Sequence, residues 1–122
     1  METITFTAEL ECNIRMMQEL FRNDDTLIIR RAVGRNGLRC ALFFFDGMVN
    51  SLSINQSLVR PILRAEQTRL AADVLADTVL QTDECRVETD MNKVFAAFLY
   101  GDAIVLTDGD ARPILVNTKG FD

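Results

Sequence analysis

The stretch that decides the fold runs from Cys85 to Val116: Cys85-Arg86-Val87-Glu88-Thr89-Asp90, then Met91-Asn92-Lys93-Val94-Phe95-Ala96-Ala97-Phe98-Leu99-Tyr100, then Gly101-Asp102-Ala103-Ile104-Val105-Leu106-Thr107-Asp108-Gly109, then Ala111-Arg112-Pro113-Ile114-Leu115-Val116. Val87 is the apolar centre of a short strand. Asp90 stands at an N-cap position, and Val94, Phe95 and Phe98 follow at helical spacing, so they are expected to face inward. Gly101 fits a left-handed helix stop. Ala103 to Leu106 is a buried strand by composition, Asp108-Gly109-Asp110 is a turn, and Ile114 to Val116 is the returning strand. Pro113 cannot donate to a ladder, which predicts an edge position for that last strand.

Outward toward the N-terminus, Leu27–Val33 and Leu38–Phe45 read as two strands joined by Gly34-Arg35-Asn36-Gly37. Asn-Gly is a strong hairpin signal because a two-residue turn needs positive φ at both positions. That turn pairs Arg35 with Leu38, and hence Val33 with Cys40, Arg31 with Leu42 and Ile29 with Phe44. Both faces of the second strand are apolar, so it is expected to be central and covered on both sides. Asp46-Gly47 closes it. Before the hairpin, Leu10, Ile14, Met17 and Phe21 form one helical stripe, with Thr7 as its expected N-cap and Asn23-Asp24-Asp25 as its end. After it, Ser53 with Gln56 predicts a helix start, and Pro61 must end or kink the helix because it lacks an amide hydrogen. Helices are expected near 53–64 and 66–80, or one bent helix. The sum is an α/β (α+β) fold: a single two-layer domain over 1–122, with a mixed sheet containing a β-hairpin and helices packed against it.

A chain of 122 residues with 48% hydrophobic and 25% charged content suits one globular domain with its own core. No apolar run reaches the ~18 residues that span a bilayer, and Met1-Glu2-Thr3-Ile4-Thr5-Phe6 has no basic leader. Net charge is −5, with seven basic and seven acidic groups in residues 1–60 against six and eleven in 61–122. That balance argues against nucleic acid as a partner. Cys12, Cys40 and Cys85 are odd in number, widely spaced and without a Cys-x-x-Cys, which fits a reducing compartment. Cys40, inside an apolar strand, reads as a small core residue.

Histidine is absent, which removes Ser-His-Asp and Cys-His catalysis and the commonest metal ligand. There is no phosphate-binding glycine loop, and Gly34-x-x-Gly37 opens a strand instead of a helix. Asp24-Asp25, Asp83-Glu84 and Asp108-x-Asp110 lack the spacing of a calcium loop, and the last is a turn sequence. No metal, cofactor or catalytic set is therefore expected. The charges that stand out are Arg30, Arg31, Arg35 and Arg39, four guanidinium groups on one hairpin. They read either as surface groups paired with nearby acids or as a surface for an anionic partner, since arginine grips carboxylate and phosphate in a fork. A second functional reading is a small-molecule sensor, with a cleft between helices and sheet where Arg30, Arg31 or Arg39 holds a carboxylate. Asp46, Gly47, Gly101, Asp108 and Gly109 read as turn and cap residues that shape the fold.

Several segments, in order, resemble the soluble N-terminal domain of the A subunit of GerA-type spore germination receptors. They are Leu20-Phe21, Asp24-Asp25-Thr26-Leu27-Ile28-Ile29-Arg30, Phe45-Asp46-Gly47-Met48-Val49-Asn50, Ile54 through Arg60-Pro61-Ile62-Leu63, and the closing run from Val94 to Gly120. Each piece is a turn or a helix boundary, and the order and spacing carry the resemblance. It implies a first subdomain of a longer membrane-anchored protein at the cytoplasmic face of the spore inner membrane, with membrane attachment only through other parts of that protein. It implies a non-catalytic role in receptor assembly and signal relay through other germination receptor subunits, because nutrient binding in the family is assigned to a partner membrane subunit. It also brings a likeness to ring-building and solute-binding α/β modules, which makes self-association an expectation. The family continues past the Lys119-Gly120 position into an arginine and a Glu-Pro motif, whereas this sequence stops at Phe121-Asp122.

Overall fold

The computed structural model of the chain describes residues 4–117. Its elements run α1 (Leu10–Leu20), β1 (Leu27–Val33), β2 (Arg39–Phe45), α2 (Ser51–Ile54), a π-helical turn (Asn55–Val59), α3 (Arg60–Arg64), α4 (Ala72–Thr78), β3 (Cys85–Val87), α5 (Met91–Tyr100), β4 (Ala103–Thr107) and β5 (Ile114–Val116). The resemblance at Lys119-Gly120 and the opening Met1-Glu2-Thr3 lie outside the described residues. No helix is long and apolar enough to cross a membrane among the described residues.

The strands form one sheet in the order β1-β2-β4-β5-β3. The α+β class is as expected, but every strand pair is antiparallel, so the sheet is not mixed in direction. Helices pack on both of its faces. On one face, Leu10, Ile14 and Met17 of α1 and Val94 and Phe98 of α5 meet Ala41, Phe43, Ile104, Leu106 and Leu115. On the other, Ile54, Leu58, Ile62 and Leu75 meet Cys40, Leu42, Val105 and Ile114. This is why the side chains of β4 and β5 are buried throughout, and why β2 is exposed only at Arg39. Phe98 is fully buried in its layer, with its ring centroid 4.6 Å from that of Phe45 and 5.6 Å from that of Phe21.

Further expectations are corrected. The hairpin register is shifted by one: Val33 faces Arg39, Arg31 faces Ala41 and Ile29 faces Phe43. No residue other than glycine has positive φ among the described residues, which rules out the two-residue turn with Asn36 left-handed. The Gly34 amide donates to the Leu38 carbonyl at 2.7 Å, and Gly37 (φ 100°) donates back to Gly34 at 3.0 Å. This leaves a three-residue loop of the kind that ends in a left-handed glycine. A one-residue slip exchanges the faces of one strand relative to its partner, so Arg31 shares a face with Ala41 and the α1 layer, while Arg30 shares one with Leu42.

β5 lies between β4 and β3 and is no edge strand. Pro113 precedes its first residue, where no ladder donor is needed, and the Pro113 carbonyl accepts from Glu88 at 3.1 Å. The helical expectations also move. Asn50, not Ser53, caps α2, its side chain accepting from Leu52 and Ser53 at 2.9 and 3.2 Å. α1 starts at Leu10, with Glu9 and not Thr7 at the cap position. The segment 66–80 is helical only from Ala72 to Thr78.

Candidate functional site

The four hairpin arginines do not converge. Arg31 and Arg39 meet over Glu11 of α1: Arg31 donates to its two carboxylate oxygens at 2.9 and 3.4 Å, and Arg39 donates to Oε2 at 3.1 Å. The Arg31 hydrogen bond holds the Glu11 carboxyl below its ordinary range, with added attraction from Arg31 and Arg39, and Glu11 in turn raises Arg31. Pairs this exposed add little to stability. Arg30 is exposed on the opposite face, Arg35 is exposed in the loop, and neither is ion-paired among the described residues.

The polar centre of the molecule is instead the turn between β4 and β5. Asp108 accepts from the Leu10 amide at 2.9 Å through Oδ1, capping α1 from far along the chain, and its Oδ2 lies 3.8 Å from Arg39. The amide of Gly109 (φ 99°) donates to the Ala8 carbonyl at 2.7 Å, which fastens the same helix start. Asp110 does the equivalent for α4: its Oδ2 accepts from the Ala72 amide at 2.8 Å. Asp110 also takes a fork from Arg112 at 3.1 and 2.9 Å, while Arg112 reaches Asp73 at 2.8 Å. Burial by itself pushes the Asp110 carboxyl up, but the Arg112 fork and the amides of Ala72 and Arg112 outweigh it and hold the group at about 2. Asp108 and Asp110 are thus spent on two helix starts on opposite faces of the sheet and do not form a paired oxygen site. Among the described residues no group of three or more His, Cys, Asp or Glu side chains could hold a metal ion.

Asp46 is exposed, and its amide donates to Thr26 at 2.7 Å at the far end of the hairpin; Gly47 (φ 85°) follows it. Gly101 (φ 121°) stops α5, whose start is capped by Asp90 accepting from Asn92 at 3.0 Å. Cys40 is fully buried, and desolvation pushes its thiol up to about 11.

Two surface features escaped the reading of the sequence. One is apolar: Met48 (49% exposed), Leu52 (59%) and Leu99 (59%) are large side chains left in solvent. Met48 packs against the end of α5, since a Cβ on Gly101 would lie 3.2 Å from its Cε. The other is a cleft of about 610 Å³ beside α3, lined by Arg60 and Arg64 and by none of the hairpin arginines. The sequence signal for both was weak: single apolar residues on surfaces are ordinary, and the cleft depends on residues from separate helices. Arg112 and Asp73 were likewise invisible as partners, being 39 residues apart.

A model of the Bacillus/Clostridium GerA spore germination protein family matches residues 15–122. Among curated proteins, the chain is 27% identical over 116 residues to the uncharacterized membrane protein YfkQ of Bacillus subtilis (strain 168), covering 93% of this chain and 22% of that protein. It is 23% identical over 106 residues to spore germination protein KA of the same organism (84% and 20%) and 26% identical over 121 residues to spore germination protein GerLA of Bacillus cereus (93% and 25%). The chain thus spans a quarter or less of these relatives. Its fold matches the crystal structure of the N-terminal domain of the A subunit of the Bacillus megaterium spore germinant receptor GerK3, with a TM-score of 0.70 and 18% identity, covering 98% of this chain and 50% of that one.

Proposed function

The chain belongs to the Bacillus/Clostridium GerA spore germination protein family, and from that premise we propose that it is a non-catalytic subdomain of a germination receptor subunit, acting in receptor assembly and signal relay through protein–protein contacts. The observation that carries the reading is the set of exposed apolar side chains, with Met48 of the β2–α2 connection packed beside Gly101 at the end of α5. Met48, Leu52 and Leu99 are exposed, as are Ile4, Leu20, Val33, Leu63, Val74 and Tyr100, while most other large apolar side chains are buried on the two faces of the sheet. Large apolar side chains left in solvent are available to the core of a partner interface. The partners in this reading are other germination receptor subunits, with self-association as a further contact. The setting is the cytoplasmic face of the spore inner membrane, with anchoring supplied by other parts of the parent protein.

The test is co-purification of the parent subunit with the other receptor subunits, wild type against the double substitution Met48→Asp and Leu99→Asp. Loss of the partners with an unchanged far-UV circular dichroism spectrum is expected. Undiminished recovery of the partners would sink the proposal.

A further inference from the structure

The cleft beside α3 has features that the docking role does not use. Arg60 and Arg64 stand four residues apart in chain order around α3 and both line the cleft. Like charges at that spacing repel each other, and neither guanidinium is ion-paired among the described residues. Gln56 and Gln67 add two side-chain amides to the lining, and Gln81, whose Nε2 donates to the Val79 carbonyl at 3.4 Å, adds a third. Glu66 is the one carboxylate in the lining.

The walls are held in place by a consequence of Pro61. Proline has no amide hydrogen, so the helix cannot make the bond from position 61 back to Ser57. The chain answers with a π-helical turn over Asn55–Val59, closed by the Arg60 amide donating to Asn55. The Ser57 carbonyl is taken instead by the Gln81 amide at 2.9 Å, which ties the helix wall to the segment after α4. π-helical turns are rare and concentrate at functional sites.

We propose that this cleft binds a small oxyanion, a carboxylate or a phosphate, gripped by Arg60 and Arg64 with the glutamine amides as further donors. Arginine suits this because its planar fork matches both anions, and a bound anion removes the repulsion between the two guanidinium groups. The site is independent of the docking surface at Met48 and Leu99.

The test is calorimetric titration of the chain at low salt with inorganic phosphate and, separately, with succinate. Saturable one-to-one binding with a Kd of about 1 mM or tighter is expected for at least one probe. Which probe binds names the class of the natural ligand. The double substitution Arg60→Gln and Arg64→Gln, at exposed positions, is expected to weaken binding by about tenfold or more, while Arg30→Gln with Arg35→Gln leaves it unchanged. Circular dichroism checks the fold of both variants. No saturable heat with either probe overturns the proposal, and so does an equal loss in the two double variants, which would mean diffuse attraction to arginine in general.

Discussion

Asp110→Ala tests the view that the β4–β5 turn holds the helices in place. The carboxylate accepts from the Ala72 amide at the start of α4 and from the Arg112 fork, and its side chain is only 14% exposed. A group held at about 2 in the folded state against 3.8 in the unfolded chain corresponds to a ceiling of roughly 2.5 kcal/mol of stability. Solvent screening at this rim brings the expected loss to about 1.5 kcal/mol. For a domain of this size, an unfolding entropy of about 0.26 kcal/mol/K turns that loss into a fall in Tm of about 6 °C. The pH dependence has a definite sign. The folded carboxyl is depressed, so its contribution is fully present above the unfolded value of 3.8 and disappears as pH falls through about 2. Urea unfolding followed by far-UV circular dichroism suits a chain without tryptophan. The gap between wild type and Asp110→Ala should be constant above about pH 5 and close between about pH 4 and 2. A gap under about 0.5 kcal/mol at pH 7, or one that persists unchanged at pH 2.5, would refute the reasoning.

Asp108→Ala removes the cap of α1 and is expected to cost about 1 kcal/mol, whereas Asp108→Asn, which keeps an acceptor, should cost less; thermal unfolding separates the two. Gly34→Ala is expected to destabilise by roughly 1–3 kcal/mol in the same assay, because the added Cβ would lie 3.0 and 3.2 Å from the carbonyl oxygens of Ile62 and Ala65, backbone atoms that cannot turn aside. Cys40, fully buried with its thiol pushed up to about 11, should resist alkylation in the native protein at pH 8 while the half-buried Cys12 reacts, and mass spectrometry with and without urea reads the order.

Element type was legible wherever one periodicity ruled a segment. The stripe Leu10-Ile14-Met17, the run Ala103–Leu106 and the Asp90 to Gly101 helix each declare themselves, because burial of one face or of both is written in the spacing of apolar residues. The apolar content of both faces of β2 likewise foretold a central strand covered on both sides. The resemblance carried by turn and helix-boundary residues pointed to the family that the comparison with known proteins then showed.

The sequence by itself therefore determined the type and order of most elements, much of the core and the family resemblance, since these rest on local propensity and on which side chains avoid water. Only the tertiary structure decided the pairings. The hairpin register follows a three-residue loop closed between Gly34 and Leu38, with Gly34 lying close under the carbonyls of Ile62 and Ala65, and not the two-residue turn that Asn36-Gly37 favours locally. The starts of α1 and α4 were set by Asp108 and Asp110, one turn reaching helices on both faces of the sheet. The four hairpin arginines separated because alternate positions on a strand point to opposite faces, and Glu11 collected only the two on its side. Each of these is a contact between residues far apart in the chain, and such contacts exist only once the layers have closed.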